Sequence, residues 1–311
     1  MEDASTYAPA TGEVDNRVYC PNELGAKQLD LLFEVSAAIS VLVVVLSLLV
    51  VIAICLNEKL RDVSTPLVVS LAIADMTFGL GNFFFYGIYK PKLLNGAMVK
   101  PAEFFMTLGK HSSMLHLVMI GVDRALYITR PFKYITLMTK TTSAVMIAFP
   151  WAFGLTTALC SVLALGGDTS LAAGLTIEFG MYLSVVMLLI GMYGSITKLA
   201  IQQRRRIVAE MAPGQEGVRP KSKVTKMLVT VLGCFVLLWS PYFVYLILRY
   251  IMELPIGYLK CSYMKPVCDI PSLINSAANV IIYSLLNQEY RKTFSRWVLY
   301  CYQRPMPVAP N

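Results

Sequence analysis

Five ionisable side chains sit inside long apolar stretches of this chain, and each needs either a partner or a role: Asp75, Lys110, Asp123, Arg124 and Glu178. Placing one charge at the centre of a lipid-facing helix costs about 3 kcal/mol, so such residues mark ion paths, proton relays or ligand contacts. Asp75 ends the run Leu71-Ala72-Ile73-Ala74, and a lone carboxylate there must take up a proton or a cation. The last apolar run supplies Asn275, Ser276, Asn279 and Tyr283 at helical offsets of one, four and eight, so all but one share a stripe. Hydroxyl and amide oxygens beside a carboxylate suit a small hard cation or a water cluster; a polar network that packs helices uses the same residues. Lys110 has Glu178 as its nearest candidate partner, and otherwise receives an acidic ligand group such as a carboxylate or phosphate. Tyr242, Phe243, Tyr245, Phe104 and Phe105 offer an aromatic wall. Asp123-Arg124 is an adjacent ion pair that can close or swing apart. Glu34 and Arg249 are near enough to run ends to snorkel to the interface.

Other chemistries find no support. His111 and His116 are five residues apart and face different sides of a helix, a poor arrangement for a metal. No phosphate-binding glycine loop, zinc signature or nucleophile constellation occurs, so the chain does not read as an enzyme. No Asn-x-Ser/Thr sequon is present either.

What positions these groups is a set of membrane helices. Hydrophobic residues make up 56% of the 311 and charged residues only 15%. The mean hydropathy is +0.60. A soluble domain carries about one quarter charged residues, so lipid is the solvent here. Apolar runs fall at 31–56, 64–89, 99–129, 142–165, 172–202, 221–251 and 266–286. Seven crossings of about 20 apolar residues each leave no room for a large soluble domain. In hydrocarbon each backbone amide needs an internal partner, so the runs must be helices. Eighteen of the 27 Lys and Arg residues, including Arg204-Arg205-Arg206, fall on one side when the first thirty residues are placed outside. The positive-inside bias thus puts the amino terminus outside and the carboxyl terminus in the cytoplasm, and it accounts for the net charge of +8 without nucleic acid. After the seventh run, Tyr290, Phe294, Trp297 and Val298 recur opposite Arg291, Lys292 and Arg296, predicting an amphipathic helix on the inner leaflet. Cys301 at its end is a candidate for palmitoylation, against a bare thiol.

These residues carry a family resemblance. Asp123-Arg124-Ala125 with Ile128 and Pro131 resembles the Asp-Arg-Tyr motif and second intracellular loop of rhodopsin-like G-protein-coupled receptors. Leu71 to Asp75 resembles their second-span signature, and Phe235, Trp239 and Pro241 resemble the sixth-span aromatic switch and kink. Asn279-Val280-Ile281-Ile282-Tyr283 is similar to the seventh-span Asn-Pro-x-x-Tyr, Tyr193 with Ile196 to the fifth span, and Trp151 to the fourth. The motifs occur in the family's order across 31–301.

The resemblance implies an all-α membrane protein, a seven-transmembrane bundle with a short amphipathic cytoplasmic helix. It implies that Asp75, Ser113, Asn275, Ser276 and Asn279 hold an allosteric sodium ion. Phe235, Trp239, Pro241 and Asn279 would form the activation switch. Asp123, Arg124, Pro131, Phe132, Tyr193 and Tyr283 would meet a heterotrimeric G protein.

The departures are informative. Ala125 replaces the usual Tyr, Val280 the usual Pro, and Ser47 the first-span Asn. The start of the sixth span offers Lys221, Lys223 and Lys226 and no acid for Arg124, so raised basal signalling is expected. A non-signalling partner or decoy is also permitted by Ala125 and Val280. Val99 stands where a Cys is usual, the second outer loop is only about 166–171, and Val185 replaces the fifth-span Pro. Together these absences resemble the melanocortin, adenosine, cannabinoid and lysophospholipid branch. Cys261, Cys268 and the run from Gln288 to Phe294 look most like melanocortin receptors. Glu103 falls at one of their acidic peptide-binding positions, while Val99 and Phe85 occupy the other two. Among the outside cysteines, Cys261–Cys268 is the favoured bridge, with Cys20 to either as the alternative. Met106 occupies the place of the amine receptors' Asp, and no Lys occurs between Asp269 and Gln288 for a retinal Schiff base.

The expected organisation is an extracellular tail over 1–30, the seven-helix domain over 31–286, the amphipathic helix over 287–301 and a cytoplasmic tail over 302–311. The expected function is a plasma-membrane receptor for an extracellular ligand, peptide or lipid-like and neither a biogenic amine nor retinal, using Glu103, Met106, Lys110, Glu178, Tyr242, Phe243 and Tyr245. A chemosensory receptor, suggested by Ile282-Tyr283-Ser284-Leu285, and a secondary transporter using Lys110, Glu178 and Asp75 are the alternatives.

Overall fold

The structure is a computed structural model and describes residues 23–87, 99–163, 168–210, 223–252 and 264–286, together with Lys292, Thr293, Ser295 and Arg296. Its helices are α1 (Glu23–Leu56), α2 (Thr65–Asn82), α3 (Val99–Thr129), α4 (Pro131–Leu137), α5 (Lys140–Leu163), α6 (Asp168–Glu210), α7 (Lys223–Met252) and α8 (Met264–Leu286). No strand occurs among the described residues. The seven long helices are the seven apolar runs, and α4 is a short turn of helix between the third and fourth of them. Three of them, α1, α2 and α5, contain stretches long and apolar enough to cross a bilayer by composition alone. The others carry most of the polar residues of the two sites described below, with Asp75 on α2. α1 begins at Glu23, ahead of the expected 31. Helix propensity, not hydropathy, sets that end, because no proline stands between Glu23 and Leu31.

Where the chain leaves a helix, side chains take over the backbone's hydrogen bonds. The Arg61 guanidinium donates to the Cys55 carbonyl at 2.6 Å, closing the end of α1. Thr65 Oγ1 accepts from the Asp62 amide at 2.6 Å and donates to the Leu60 carbonyl at 2.7 Å, which sets the start of α2. Beyond Asn82 the helix widens into a π turn over Phe83–Gly87, and Tyr86 in that turn is buried. Pro241 inside α7 cannot donate to the Leu237 carbonyl one turn back; the Ser240 hydroxyl donates to it instead, at 2.9 Å. α7 therefore has a hinge point with its acceptor satisfied.

α3 lies against α2, α5 and α6, while α8 closes the bundle between α7 and α1. The closest approaches are made by glycines. A Cβ on Gly109 would stand 2.2 Å from the Phe78 amide nitrogen, and one on Gly81 would stand 2.3 Å from that of Met106. Between α3 and α5, Gly154 similarly faces the Ser112 hydroxyl and the Leu108 carbonyl. Small residues let membrane helices approach backbone to backbone, where dispersion and side-chain hydrogen bonds hold them. Large apolar side chains such as Leu42, Val145, Met187 and Leu237 point outward, as a lipid-facing surface requires.

The amphipathic helix expected after the seventh run is described only at Lys292, Thr293, Ser295 and Arg296, all helical. Thr293 is buried and accepts a 2.9 Å hydrogen bond from Asn57, whereas Lys292, Ser295 and Arg296 are exposed. Tyr290, Phe294, Trp297, Val298 and Cys301 lie outside the described residues, as do Cys20 and Cys261.

Candidate functional site

The described polar groups include two internal sites, the first of which borders an aromatic column. The first lies between α3, α6 and α7. Lys110, on α3, is buried, and its Nζ stands 2.6 Å from Glu178 Oε1 on α6 and 3.1 Å from the Tyr242 hydroxyl on α7. Tyr242 in turn donates to the other Glu178 oxygen, and the Lys110 ammonium lies 4.8 Å from the Tyr242 ring centre. An ion pair that is hydrogen-bonded on every side is the one arrangement in which burying both charges is tolerable. His111 stands beside it: Nδ1 is 2.7 Å from Thr157 Oγ1, and Nε2 is 4.0 Å from Glu178 Oε1 with no hydrogen-bond partner.

Glu178 is followed by an aromatic run. Phe243 stacks on Phe179 at 4.9 Å and on Tyr182 at 4.5 Å between ring centres. Tyr182 continues to Phe235 at 6.2 Å, and Phe235 lies 6.0 Å from Trp239, which itself meets Tyr242 edge-on at 6.0 Å. Phe235 and Trp239 are fully buried. Tyr182 is the link that sequence reasoning missed; its offset of four from Glu178, on the same helix face, is the signal that points to it. Tyr245 is buried 6.2 Å from Tyr242.

The expected pocket residues do not all converge. Met106, one turn before Lys110, is buried with Phe78 and Leu273 in a separate apolar cluster. Glu103 lies about two turns, roughly 10 Å, further along α3. Phe105 is 47% exposed and so forms part of the outer surface, which corrects its place in the wall. Cys55 and Cys160 are exposed. Cys268 is buried in the main core cluster, and its expected bridging partner Cys261 lies outside the described residues. Its neighbour Asp269, an acid inside the seventh apolar run, deserved the same reading as Asp75 and Glu178. It is buried and accepts a short hydrogen bond from Tyr86.

The second polar group surrounds Asp75. Ser113 donates to Oδ1 at 2.6 Å, Asn279 to Oδ2 at 3.2 Å, and Ser276 also donates to the carboxylate. All four residues and Asn275 are buried, so α2, α3 and α8 meet on one carboxylate. The donor set is oxygen-rich, with the Ser113 and Ser276 hydroxyls and the Asn279 side-chain amide on the carboxylate and Asn275 buried one residue before Ser276. That is the chemistry a small hard cation takes.

Toward the far end of α3, Asp123 is fully buried and Arg124 Nε lies 3.2 Å from its Oδ2. The Tyr134 hydroxyl on α4 donates to Asp123 Oδ1 at 2.7 Å and lies 3.3 Å from Ser64 Oγ. Tyr134 was not singled out in the sequence; its place three residues after Pro131, on the same short helix, is the available signal. Burial pushes its phenol above the ordinary value. Phe132 beside it is almost fully exposed. The side chains of Pro131, Tyr193 and Tyr283 lie outside the described residues, though their backbones are helical.

The two histidines have different surroundings. His116 Nδ1 faces the Ser112 carbonyl at 2.7 Å, so that nitrogen carries the proton and Nε2 accepts from Ser70 Oγ at 2.7 Å. Ser70 accepts in turn from Trp151 at 2.9 Å, which ties α2, α3 and α5 together. Among the described residues no group of three metal-ligating side chains occurs. Ser47 Oγ is buried without a hydrogen-bond partner, and Val280 packs with Val50, Ala53 and Ala72 across the α1–α8 contact.

Residues 47–283 match the family described as 7 transmembrane receptor (rhodopsin family). The chain is 30% identical to melanocortin receptor 5 of Ovis aries, over 87% of this chain and 84% of that one. It is 26% identical to the histamine H2 receptor of Cavia porcellus, covering 85% and 79%. The allatostatin-A receptor of Bombyx mori is 24% identical, covering 81% and 75%.

Proposed function

Because the chain belongs to the rhodopsin family of seven-transmembrane receptors, we propose that it binds an extracellular ligand at the Lys110–Glu178–Tyr242 site and activates a heterotrimeric G protein at the Arg124 end. Members of the family are receptors, not enzymes, and are multi-pass membrane proteins. The amino terminus is outside and the carboxyl terminus in the cytoplasm, as the Lys and Arg bias supports. The domain order is an outer tail, the seven-helix bundle, an amphipathic helix and a cytoplasmic tail, and the Asn57–Thr293 hydrogen bond supports docking of that amphipathic helix on the bundle.

The observation that carries this reading is the aromatic run that leads from Glu178 and Tyr242 to the buried Phe235 and Trp239. A ligand that repositions Glu178 or Tyr242 moves Phe179, Phe243 and Tyr182, and through them Phe235 and Trp239. The hinge at Pro241, two residues to the outer side of Trp239, lets the cytoplasmic half of α7 swing. Arg124 would then leave Asp123 and, with Tyr193, Tyr283, Pro131 and the exposed Phe132, meet the G protein. Its partner in the described structure is Asp123 on its own helix, a short-range lock that supports raised basal exchange.

The relatives divide between peptide and amine receptors by name, so the ligand class is read from this chain's side chains. Glu178 is engaged by Lys110, and Met106 is turned to Phe78 and Leu273, which leaves a simple amine no free counter-ion. An acidic group on a peptide or lipid-like ligand suits Lys110. Asp75, Ser113, Asn275, Ser276 and Asn279 would hold a sodium ion, which would neutralise the buried carboxylate and favour the inactive bundle.

Nucleotide exchange on a panel of purified G proteins, with the receptor in lipid nanodiscs, tests the function. Exchange above that of each G protein alone is expected. No acceleration by any agonist, together with substrate flux in receptor-containing vesicles, would replace the reading with a transporter.

A further inference from the structure

The Lys110–Glu178 pair is already closed, and the way it is closed limits what can open it. Lys110 Nζ contacts one Glu178 oxygen at 2.6 Å, and Tyr242 donates to the other. A ligand carrying only an acid could take Lys110, but it would leave Glu178 without its cation. A ligand carrying only an amine could take Glu178, but it would strand Lys110, whose side chain is 7% exposed. Removing one partner of a buried pair is costly, on the order of 100-fold or more in an equilibrium constant. A ligand that brings both charges exchanges one internal pair for two pairs with itself and strands neither.

A second observation points to the same ligand. His111 is buried, its Nε2 has no hydrogen-bond partner, and that atom lies 4.0 Å from Glu178 Oε1. Thr157 Oγ1 donates its proton to a backbone carbonyl, that of Gly154 at 3.0 Å or of Phe153 at 3.2 Å. Thr157 therefore accepts from His111, Nδ1 carries the ring proton, and Nε2 is left as an acceptor. One ammonium nitrogen can stand at about 2.9 Å from both Glu178 Oε1 and His111 Nε2, an ordinary hydrogen-bond distance. The pair's own ammonium does not use Nε2.

Resting on the receptor reading above, we propose that the ligand of this site carries an amino-acid headgroup, an ammonium and a carboxylate on the same or neighbouring carbons. The carboxylate takes Lys110, and the ammonium bridges Glu178 and His111. The ligand's side chain lies along Phe179, Phe243 and Tyr182, whose stacked rings begin at the residue after Glu178. Tyr242, bonded to both members of the pair, is the group released when they separate, and it touches Trp239 edge-on.

The test uses matched probes on the purified full chain in nanodiscs, with thermal unfolding as the readout. One set is L-phenylalanine, 2-phenylethylamine and 3-phenylpropanoate; a second is L-tryptophan, tryptamine and indole-3-propanoate; a third is L-leucine, isoamylamine and 4-methylpentanoate. In at least one set the zwitterion is expected to stabilise the receptor at a concentration at least about 10-fold below either half-molecule, a conservative share of the cost of a stranded charge. Glu178→Gln should narrow the zwitterion's advantage over the acid, and Lys110→Met its advantage over the amine. The double variant Lys110→Met/Glu178→Gln strands no charge, so it serves where a single variant does not fold, and it should show no zwitterion preference. An acid that binds as tightly as its zwitterion overturns the inference, as does a panel in which no zwitterion shifts the unfolding temperature. Nucleotide exchange in the same preparation reads the receptor function separately. Exchange no faster than that of the G protein alone, with and without every probe, counts against the function, and binding without zwitterion preference counts only against the ligand class.

Discussion

Gly109→Ala should separate α2 from α3 and in doing so open the Asp75 site. The added methyl would lie 2.2 Å from the Phe78 amide nitrogen, 2.6 Å from its Cα and 2.8 Å from the Ala74 carbonyl oxygen. These are backbone atoms, so no side chain can turn aside, and the helices must part by about 1 Å to reach ordinary contact. Gly109 is one turn from Ser113, and Phe78 is three residues from Asp75. The same separation therefore lengthens the Ser113–Asp75 hydrogen bond, now 2.6 Å, to roughly 3.6 Å, beyond hydrogen-bond range. Overpacking costs about 1–3 kcal/mol, and a hydrogen bond to a charged group contributes about 1.5–3 kcal/mol. The sum, about 2.5–6 kcal/mol, corresponds to a fall in unfolding temperature on the order of 10 °C. Gly191→Ala is the control, because a Cβ there meets nothing within 4 Å; it should be neutral, or stabilising by about 0.5–1 kcal/mol through helix propensity. Thermal unfolding of both purified variants in nanodiscs makes the comparison. Equal melting temperatures for Gly109→Ala and Gly191→Ala would refute the claim that backbone contact at Gly109 sets the α2–α3 distance.

Asp75→Asn should abolish any stabilisation of the receptor by sodium over potassium in thermal unfolding, and a sodium shift kept in the variant would remove Asp75 as the ion's ligand. Lys110→Met should cost about 3 kcal/mol by stranding Glu178, with most of that recovered in Lys110→Met/Glu178→Gln; losses that simply add would mean the two charges are not coupled. Tyr134→Phe removes the donor to Asp123 and should raise ligand-free nucleotide exchange severalfold; an unchanged rate would leave Tyr134 with packing alone. Because burial raises the Tyr134 phenol, its contribution is complete below its ordinary value near 10 and is lost only as pH climbs through the raised one. The effect of Tyr134→Phe should therefore be the same at pH 6 and pH 8, and a difference in the exchange ratio between those values would point to another titrating group.

The amino-acid order by itself determined the helices. Lipid requires each backbone amide to bond within its own segment, so an apolar run of sufficient length has one available structure. The run 99–129 coincides with α3, and 266–286 with all but the first two residues of α8. Scarcity did the rest of the work that sequence can do: few charges occur inside the runs, so Asp75, Lys110 and Glu178 stood out, and the pairing of the last two could be anticipated. Where the reading failed, it failed on rotation. Hydropathy belongs to each residue alone, whereas contacts between residues 68 and 132 positions apart, as from Lys110 to Glu178 and Tyr242, depend on how far each helix turns and how closely it approaches its neighbours. Those are set by backbone contacts at Gly81, Gly109 and Gly154 and by the π turn that buries Tyr86. Only the tertiary structure turned Met106 toward Phe78, put Phe105 on the outer surface, and brought Tyr134 to Asp123 and Tyr182 into the aromatic column. The unpartnered nitrogen of His111 likewise follows from where Thr157 on α5 and Glu178 on α6 meet it, which no spacing along α3 records.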